Sequence, residues 1–129
     1  MGERMSASAT EWIIAGTGIG TNFPGPVEGR LQEVRGAEEV LALMDRMEEE
    51  TWEPPIILVN EAGGTTLGPL MGEIRGVIST KGTLGAHIAL LAKEYGCPCV
   101  VGVRFIRPPD GIETVRIAAD GSVWARVER

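Results

Sequence analysis

The stretch from Gly76 to Val103, GVISTKGTLGAHIALLAKEYGCPCVVGV, decides how the chain folds. Gly76-Val77-Ile78-Ser79 is a short apolar run of the kind a strand buried on both faces requires. Thr80 to Ala86 is rich in glycine and reads as a loop. His87 to Tyr95 predicts a helix with Ile88, Leu91, Ala92 and Tyr95 on one face. Gly96 follows where a helix commonly ends in left-handed backbone. Cys99 to Val103 is a second apolar strand. Strand, helix and strand in this succession predict a parallel α/β unit.

Working outward, Ile56-Ile57-Leu58-Val59 is another continuous apolar strand. It is preceded by Pro54-Pro55, which stops any helix, and followed by a polar, glycine-rich loop from Asn60 to Thr66. Leu67 to Arg75 predicts a short helix. Gly36 to Glu50 predicts a longer one, with Val40, Leu41, Met44 and Met47 on one face as core filler. Glu38 and Glu39 suit its first turn, whereas Glu48-Glu49-Glu50 opposes the helix dipole and predicts a frayed end. Val27 to Val34 reads as a strand bent at Gly29. Trp12 to Ala15 reads as a short strand leading into a loop, Gly16-Thr17-Gly18-Ile19-Gly20. That loop superficially matches a dinucleotide fingerprint, but Pro24 and Pro26 forbid the helix such a fingerprint must open. Near the end, Glu113 to Ala118 and Ser122 to Val127 flank Asp120-Gly121, a hairpin turn signal. The expected fold class is α/β: a parallel-strand α/β part, and a second, mainly β layer made by the N-terminal strands and the final hairpin. Residues 1–10 read as a flexible tail and residues 11–129 as one domain, as a chain of 129 residues allows.

Composition narrows the function. The net charge is −6 and the arginines are scattered, so the basic stripe of a general nucleic-acid binder is missing. The acidity also argues against anionic membranes, and no apolar run approaches the roughly 20 residues of a membrane span. Met1 to Thr10 lacks the apolar core of a signal peptide, so a cytoplasmic location is expected. Cys97 and Cys99 are spaced poorly for a disulfide and read as two small buried hydrophobes. They offer half the ligands of a structural zinc site, and no metal site is expected.

In open α/β sheets, ligands gather beyond the carboxyl ends of the strands. Thr80 to Ala86 lies there and leads into His87, the one histidine of the chain, at a helix start. Glycines at Gly82 and Gly85 let backbone N–H groups approach a small anion, and the helix start adds unpaired N–H groups. Lys81 and Thr83 can add a positive charge and a hydroxyl. An imidazole so placed can act as a nucleophile toward phosphorus. Three readings stay open on these grounds: a phosphoryl carrier on His87, a module that binds a small anion without covalent chemistry, and a metal site, which one histidine with no nearby carboxylate cluster supports weakly.

The loop and helix, Ser79-Thr80-Lys81-Gly82-Thr83-Leu84-Gly85-Ala86-His87-Ile88-Ala89-Leu90-Leu91-Ala92-Lys93, resemble the signature of the PEP-utilising enzyme mobile domain, Thr-x-x-Gly-Gly-x-Thr-Ser/Cys-His-x-Ala-Ile-x-Ala-Arg. Glu94 to Gly102 resembles the family's continuation Glu-Leu-Gly-Ile-Pro-Ala-Val-Val-Gly. Pro24-Gly25-Pro26-Val27-Glu28-Gly29 is similar to its Pro-Gly-x-x-x-Gly opening, and the resemblance extends over roughly Gly16 to Val127. It implies a swivelling β/β/α three-layer domain. It also implies that His87 accepts a phosphoryl group from ATP or phosphoenolpyruvate and relays it to a partner active site. Lys81, Gly82, Thr83 and Gly85 would hold the phosphate. No cofactor is implied on this chain itself; the donor, with magnesium, would sit on an ATP-binding or phosphoenolpyruvate-binding subunit. The motif departs from the family at Thr83 (second glycine), Gly85 (Thr), Ala86 (Ser or Cys) and Lys93 (Arg). These departures motivate the alternative, a binding or interaction module for a small anion or metabolite with a degenerate loop.

Overall fold

The computed structural model describes residues 10–60, 65–82 and 86–128. In chain order these form β1 (Thr10–Thr21), β2 (Val27–Glu33), α1 (Ala37–Arg46), β3 (Ile56–Val59), a 3-10 helix (Thr65–Leu70), β4 (Gly76–Ser79), α2 (His87–Tyr95), β5 (Cys99–Phe105), β6 (Thr114–Ile117) and β7 (Ser122–Glu128). The fold is mixed α/β. Strands β3, β4 and β5 run parallel, as the apolar runs predict, and β2, expected in the second β layer, joins them parallel beside β3. Every residue of β3 and β4 is buried, so these two strands carry apolar side chains on both faces.

The expected second β layer is not a separate sheet. Strands β6, β7 and β1 continue antiparallel from β2, and β1 also pairs with β5, which closes one seven-stranded barrel in the order β1-β5-β4-β3-β2-β6-β7. Two cores follow. Ile56, Leu58, Ile78 and Val100 point inward and meet Val115, Ile117, Val123 and Ala125 from the antiparallel strands. Ile57, Val59, Val77 and Val101 point outward and are covered by α1, the 3-10 helix and α2. Full burial of each such aliphatic side chain contributes about 1.5–3 kcal/mol.

The closure explains why the expected Gly16–Gly20 loop is instead the second half of β1. A Cβ on Gly18 would lie 2.5 Å from the carbonyl oxygen of Val101 and 2.8 Å from Val103 Cγ2. One on Gly16 would lie 2.9 Å from the carbonyl oxygen of Arg104. Around them the register slips on both sides of the strand, at Ile14/Gly16 against β7 and at Thr17/Ile19 against β5. Glycines here mark a bent barrel strand with bulges and close backbone approach, not a break in the sheet.

The helices depart from expectation in detail. Helix α1 ends at Arg46, ahead of the acidic run, consistent with the unfavourable charge at that end. It buries Val40 and Leu43, with Met47 packed against the same core, whereas Leu41 and Met44 face solvent. Two apolar stripes overlap on this helix, and the position of the sheet selects one of them. The segment expected as a helix over Leu67–Arg75 is a 3-10 helix ending at Leu70, because Pro69 has no N–H for an α ladder. Helix α2 has the predicted bounds and ends at Gly96 with φ +64°. It buries Ile88, Ala89 and Ala92, while Tyr95 is 53% exposed. The β6–β7 hairpin turns through Gly121 at φ +87°. Residues 1–9 of the expected tail lie outside the described residues, and Thr10 opens β1.

Replacing Gly18 with Ala is expected to cost about 2 kcal/mol or more, because the methyl meets backbone atoms that cannot turn aside. Gly25 has no atom within 4 Å of its ideal Cβ. Gly25→Ala is therefore expected to stay within about 0.5 kcal/mol of wild type. Urea unfolding of the two variants side by side measures the difference.

Candidate functional site

The carboxyl ends of β2, β3, β4 and β5 form one rim of the barrel. A chain of polar contacts ties that rim together. Arg35 donates from Nε and from a terminal nitrogen to the Glu33 carboxylate at 3.2 and 3.3 Å. Asn60 Nδ2 donates to Glu33 Oε2 at 2.9 Å, and Thr80 Oγ1 donates to Asn60 Oδ1 at 3.2 Å. The Thr80 N–H continues the ladder to the Val59 carbonyl at 3.1 Å. The backbone leaving β4 is thus held to its neighbours before the glycine-rich loop begins.

Ser79 then turns the chain. Its buried hydroxyl donates to the Lys81 carbonyl at 2.8 Å and accepts from the Lys81 N–H at 3.3 Å. The Lys81 carbonyl also accepts from the Gly102 N–H at 3.4 Å, so the start of the loop rests on β5. Gly82 follows at φ +96°, left-handed space that favours glycine. A Cβ on Gly102, itself at φ +62°, would lie 3.0 Å from the Gly82 carbonyl oxygen. Sequence reasoning read Gly102 only as part of a family resemblance; the structure makes it the seat of the loop.

His87 is the first residue of α2 and is exposed to solvent. The N-cap before it is Ala86, in extended backbone (φ −70°, ψ 157°), and among the described residues no side chain caps the helix. Alanine is a poor N-cap, costing about 1 kcal/mol relative to Ser or Thr. Without a capping side chain, first-turn N–H groups remain available to an anion beside the imidazole. Ile88 and Ala89 anchor this turn in the outer core, which fixes the direction of the helix start. Of the sequence-predicted site residues, the structure places Lys81, Gly82 and His87 at this rim, with Lys81 exposed. Thr83 and Gly85 lie outside the described residues.

The cysteines stand apart from this chemistry. Cys97 is 4% exposed just before β5, and Cys99 is fully buried as its first residue; both are free thiols. Burial pushes the Cys97 thiol up to about 11 and the Cys99 thiol to about 12, the latter helped by its neighbour Cys97. Among the described residues, no group of three or more His, Cys, Asp or Glu side chains is arranged to hold a metal ion. Among them also, no helix is long and apolar enough to cross a membrane.

Comparison with known proteins gives two findings. A family model described as "PEP-utilising enzyme, mobile domain" matches residues 52–121, more than half of the chain, from just before β3 to the β6–β7 turn. A rifampicin phosphotransferase of Bacillus subtilis (strain 168) is 40% identical over 57 residues, which are 44% of this chain. The chain spans 7% of the length of that relative.

At pH 8 both thiols are expected to be protonated, so Ellman's reagent should react slowly with the native chain and rapidly after unfolding in urea. The same shifts carry a stability signature. Thiols raised by folding add stability that is whole below about pH 8.5 and is lost as pH climbs through the folded values. An unfolding midpoint that falls above pH 9, and falls less in Cys97→Ala with Cys99→Ala, is the expected outcome.

Proposed function

The chain belongs to the PEP-utilising enzyme mobile-domain family, and on that premise we propose that it is a phosphocarrier whose acceptor is His87. The observation that carries this reading is the position of its one histidine: exposed, at a helix start whose N-cap is an alanine, immediately after the glycine-rich loop from β4. The relative's name as a phosphotransferase supports the same class of chemistry. In the loading step, the lone pair of a ring nitrogen of neutral His87 forms an N–P bond. The donor's P–O bond breaks, and the leaving oxygen takes the bonding electrons. The other ring nitrogen keeps its proton. In the unloading step, an acceptor nucleophile bonds to phosphorus, the N–P bond breaks, and its electrons return to the ring.

The donor is ATP or phosphoenolpyruvate, bound with magnesium on a partner domain or subunit. This chain contributes the acceptor and the surroundings of the transferred group. Gly82 lets backbone N–H groups come close, the first turn of α2 offers amides and partial positive charge, and Lys81 adds a full charge. Thr83 and Gly85 complete the proposed cradle. A swivelling motion would carry His87 between the donor and acceptor sites.

A second reading is favoured by Gly85 and Ala86, which remove two polar side chains from the family's loop. On that reading the same rim binds a small anion or metabolite without covalent chemistry.

Incubation with labelled phosphoenolpyruvate or ATP in lysate of the source organism separates the two. Base-stable, acid-labile label is expected on the wild type and none on His87→Asn. Label retained by His87→Asn would sink the carrier reading. No label on either protein, with anion binding intact in both, would favour the binding module.

A further inference from the structure

Lys81 and Gly82, where the chain leaves β4, lie against a strand that offers an arginine. Arg104 is in β5, between Val103 and Phe105, both of which pack with the core inside the barrel. Alternation along a strand therefore puts Arg104 on the outer side, the side that carries α2. It is exposed, and among the described residues no hydrogen bond or ion pair holds its guanidinium. Other arginines of this acidic chain are engaged: Arg35 with Glu33, Arg116 with Glu28 and, by stacking, with Trp12, and Arg75 with the Pro54 carbonyl.

Placement relative to the loop follows from Gly102. Its N–H donates to the Lys81 carbonyl at 3.4 Å, and its Cβ position faces the Gly82 carbonyl oxygen. Arg104 is two residues further toward the carboxyl end of β5, about 6.6 Å along a strand. An extended arginine side chain covers a comparable span. The helix start at His87 is anchored on the same outer core, where Ile88 and Ala89 share a cluster with Val101 of β5. The rim thus holds a cation from each of two strands' ends: Lys81 after β4 and Arg104 on β5. A planar guanidinium presents paired donors that match two phosphoryl oxygens, which a lysine cannot do.

We propose that Arg104 is a phosphoryl-binding residue that reaches from β5 to the group carried on His87 and takes over from the hydroxyls missing at positions 85 and 86. This rests on the carrier reading. It adds a residue that neither the loop motif nor its resemblance to the family points to.

The test needs no partner. Potassium phosphoramidate phosphorylates exposed histidines chemically, and the full chain has one. Phosphorus NMR then follows the titration of the phosphoryl group on His87, whose last proton leaves near pH 6 in related phosphorylated side chains. A nearby guanidinium favours the dianion and lowers that midpoint. Arg104→Gln is expected to raise the midpoint by about half a pH unit or more, Arg104→Lys to restore part of the shift, and Arg107→Gln to leave it at the wild-type value. Thermal unfolding of each variant shows that the fold is kept. A midpoint in Arg104→Gln equal to wild type overturns the inference and leaves the carrier reading intact. Failure of phosphoramidate to modify wild-type His87 overturns both.

Discussion

Gly18 and Gly121 touch backbone to backbone, and the closure of the sheet depends on that contact. The Gly18 N–H donates to the Gly121 carbonyl at 2.8 Å, and a Cβ on Gly121 would run into the Gly18 carbonyl oxygen. Gly121 also holds the left-handed turn of the final hairpin. With these two residues in place, β1 can pair with β7 over its first part and β5 over its second. The barrel then needs no exposed edge, which is the usual liability of an open sheet. Without closure, the inner face of β3, β4 and β5 would lose the partners it has in β6 and β7.

That closure has a consequence for the site. The parallel strands are fixed on both sides: β2 by β6, β5 by β1. Their carboxyl ends form a rigid rim, and the polar chain from Arg35 through Glu33 and Asn60 to Thr80 stiffens it further. On the carrier reading the loop gains from such a base: the His87 imidazole is presented at the surface while Ser79 and Ile88 on either side stay fully buried.

How much of this was legible in the residues depended on which force decided each element. The bounds of β3, β4 and α2 follow from local apolar runs and from Gly96, and the structure has them where the sequence predicts. His87 at a helix start was legible for the same reason. The glycine-rich half of β1 was not, because those glycines answer to atoms of β5 and β7, distant in sequence. The buried face of α1 was ambiguous for a different reason: Val40 suits either of two stripes, and only the sheet's position decides between Leu41 and Leu43. Gly102, which seats the loop, and Arg104, the residue proposed to reach the phosphoryl group, were not singled out because they belong to a strand after the histidine motif. The one available signal was that Arg104 interrupts an apolar strand at an outward position.

The chemistry of the loop can be argued one step further from charge. The chain carries −6 overall, yet the rim has Lys81 and the amide end of α2 that begins at His87, with Arg104 on the neighbouring strand β5. Net repulsion of an anionic donor by the whole molecule would be screened within about 10 Å at ordinary salt, whereas the rim acts at contact. On the carrier reading, a local positive rim on an acidic body would attract a phosphoryl group in one orientation, with α2 foremost. Ala86 fits that arrangement. A serine there would cap the helix and take up a first-turn amide; alanine gives up about 1 kcal/mol of cap and leaves the amide for the anion. On the carrier reading, the loss of side-chain hydroxyls at positions 85 and 86 would shift recognition of the phosphoryl group onto backbone N–H groups and the proposed guanidinium, which hold charge without offering a competing nucleophile.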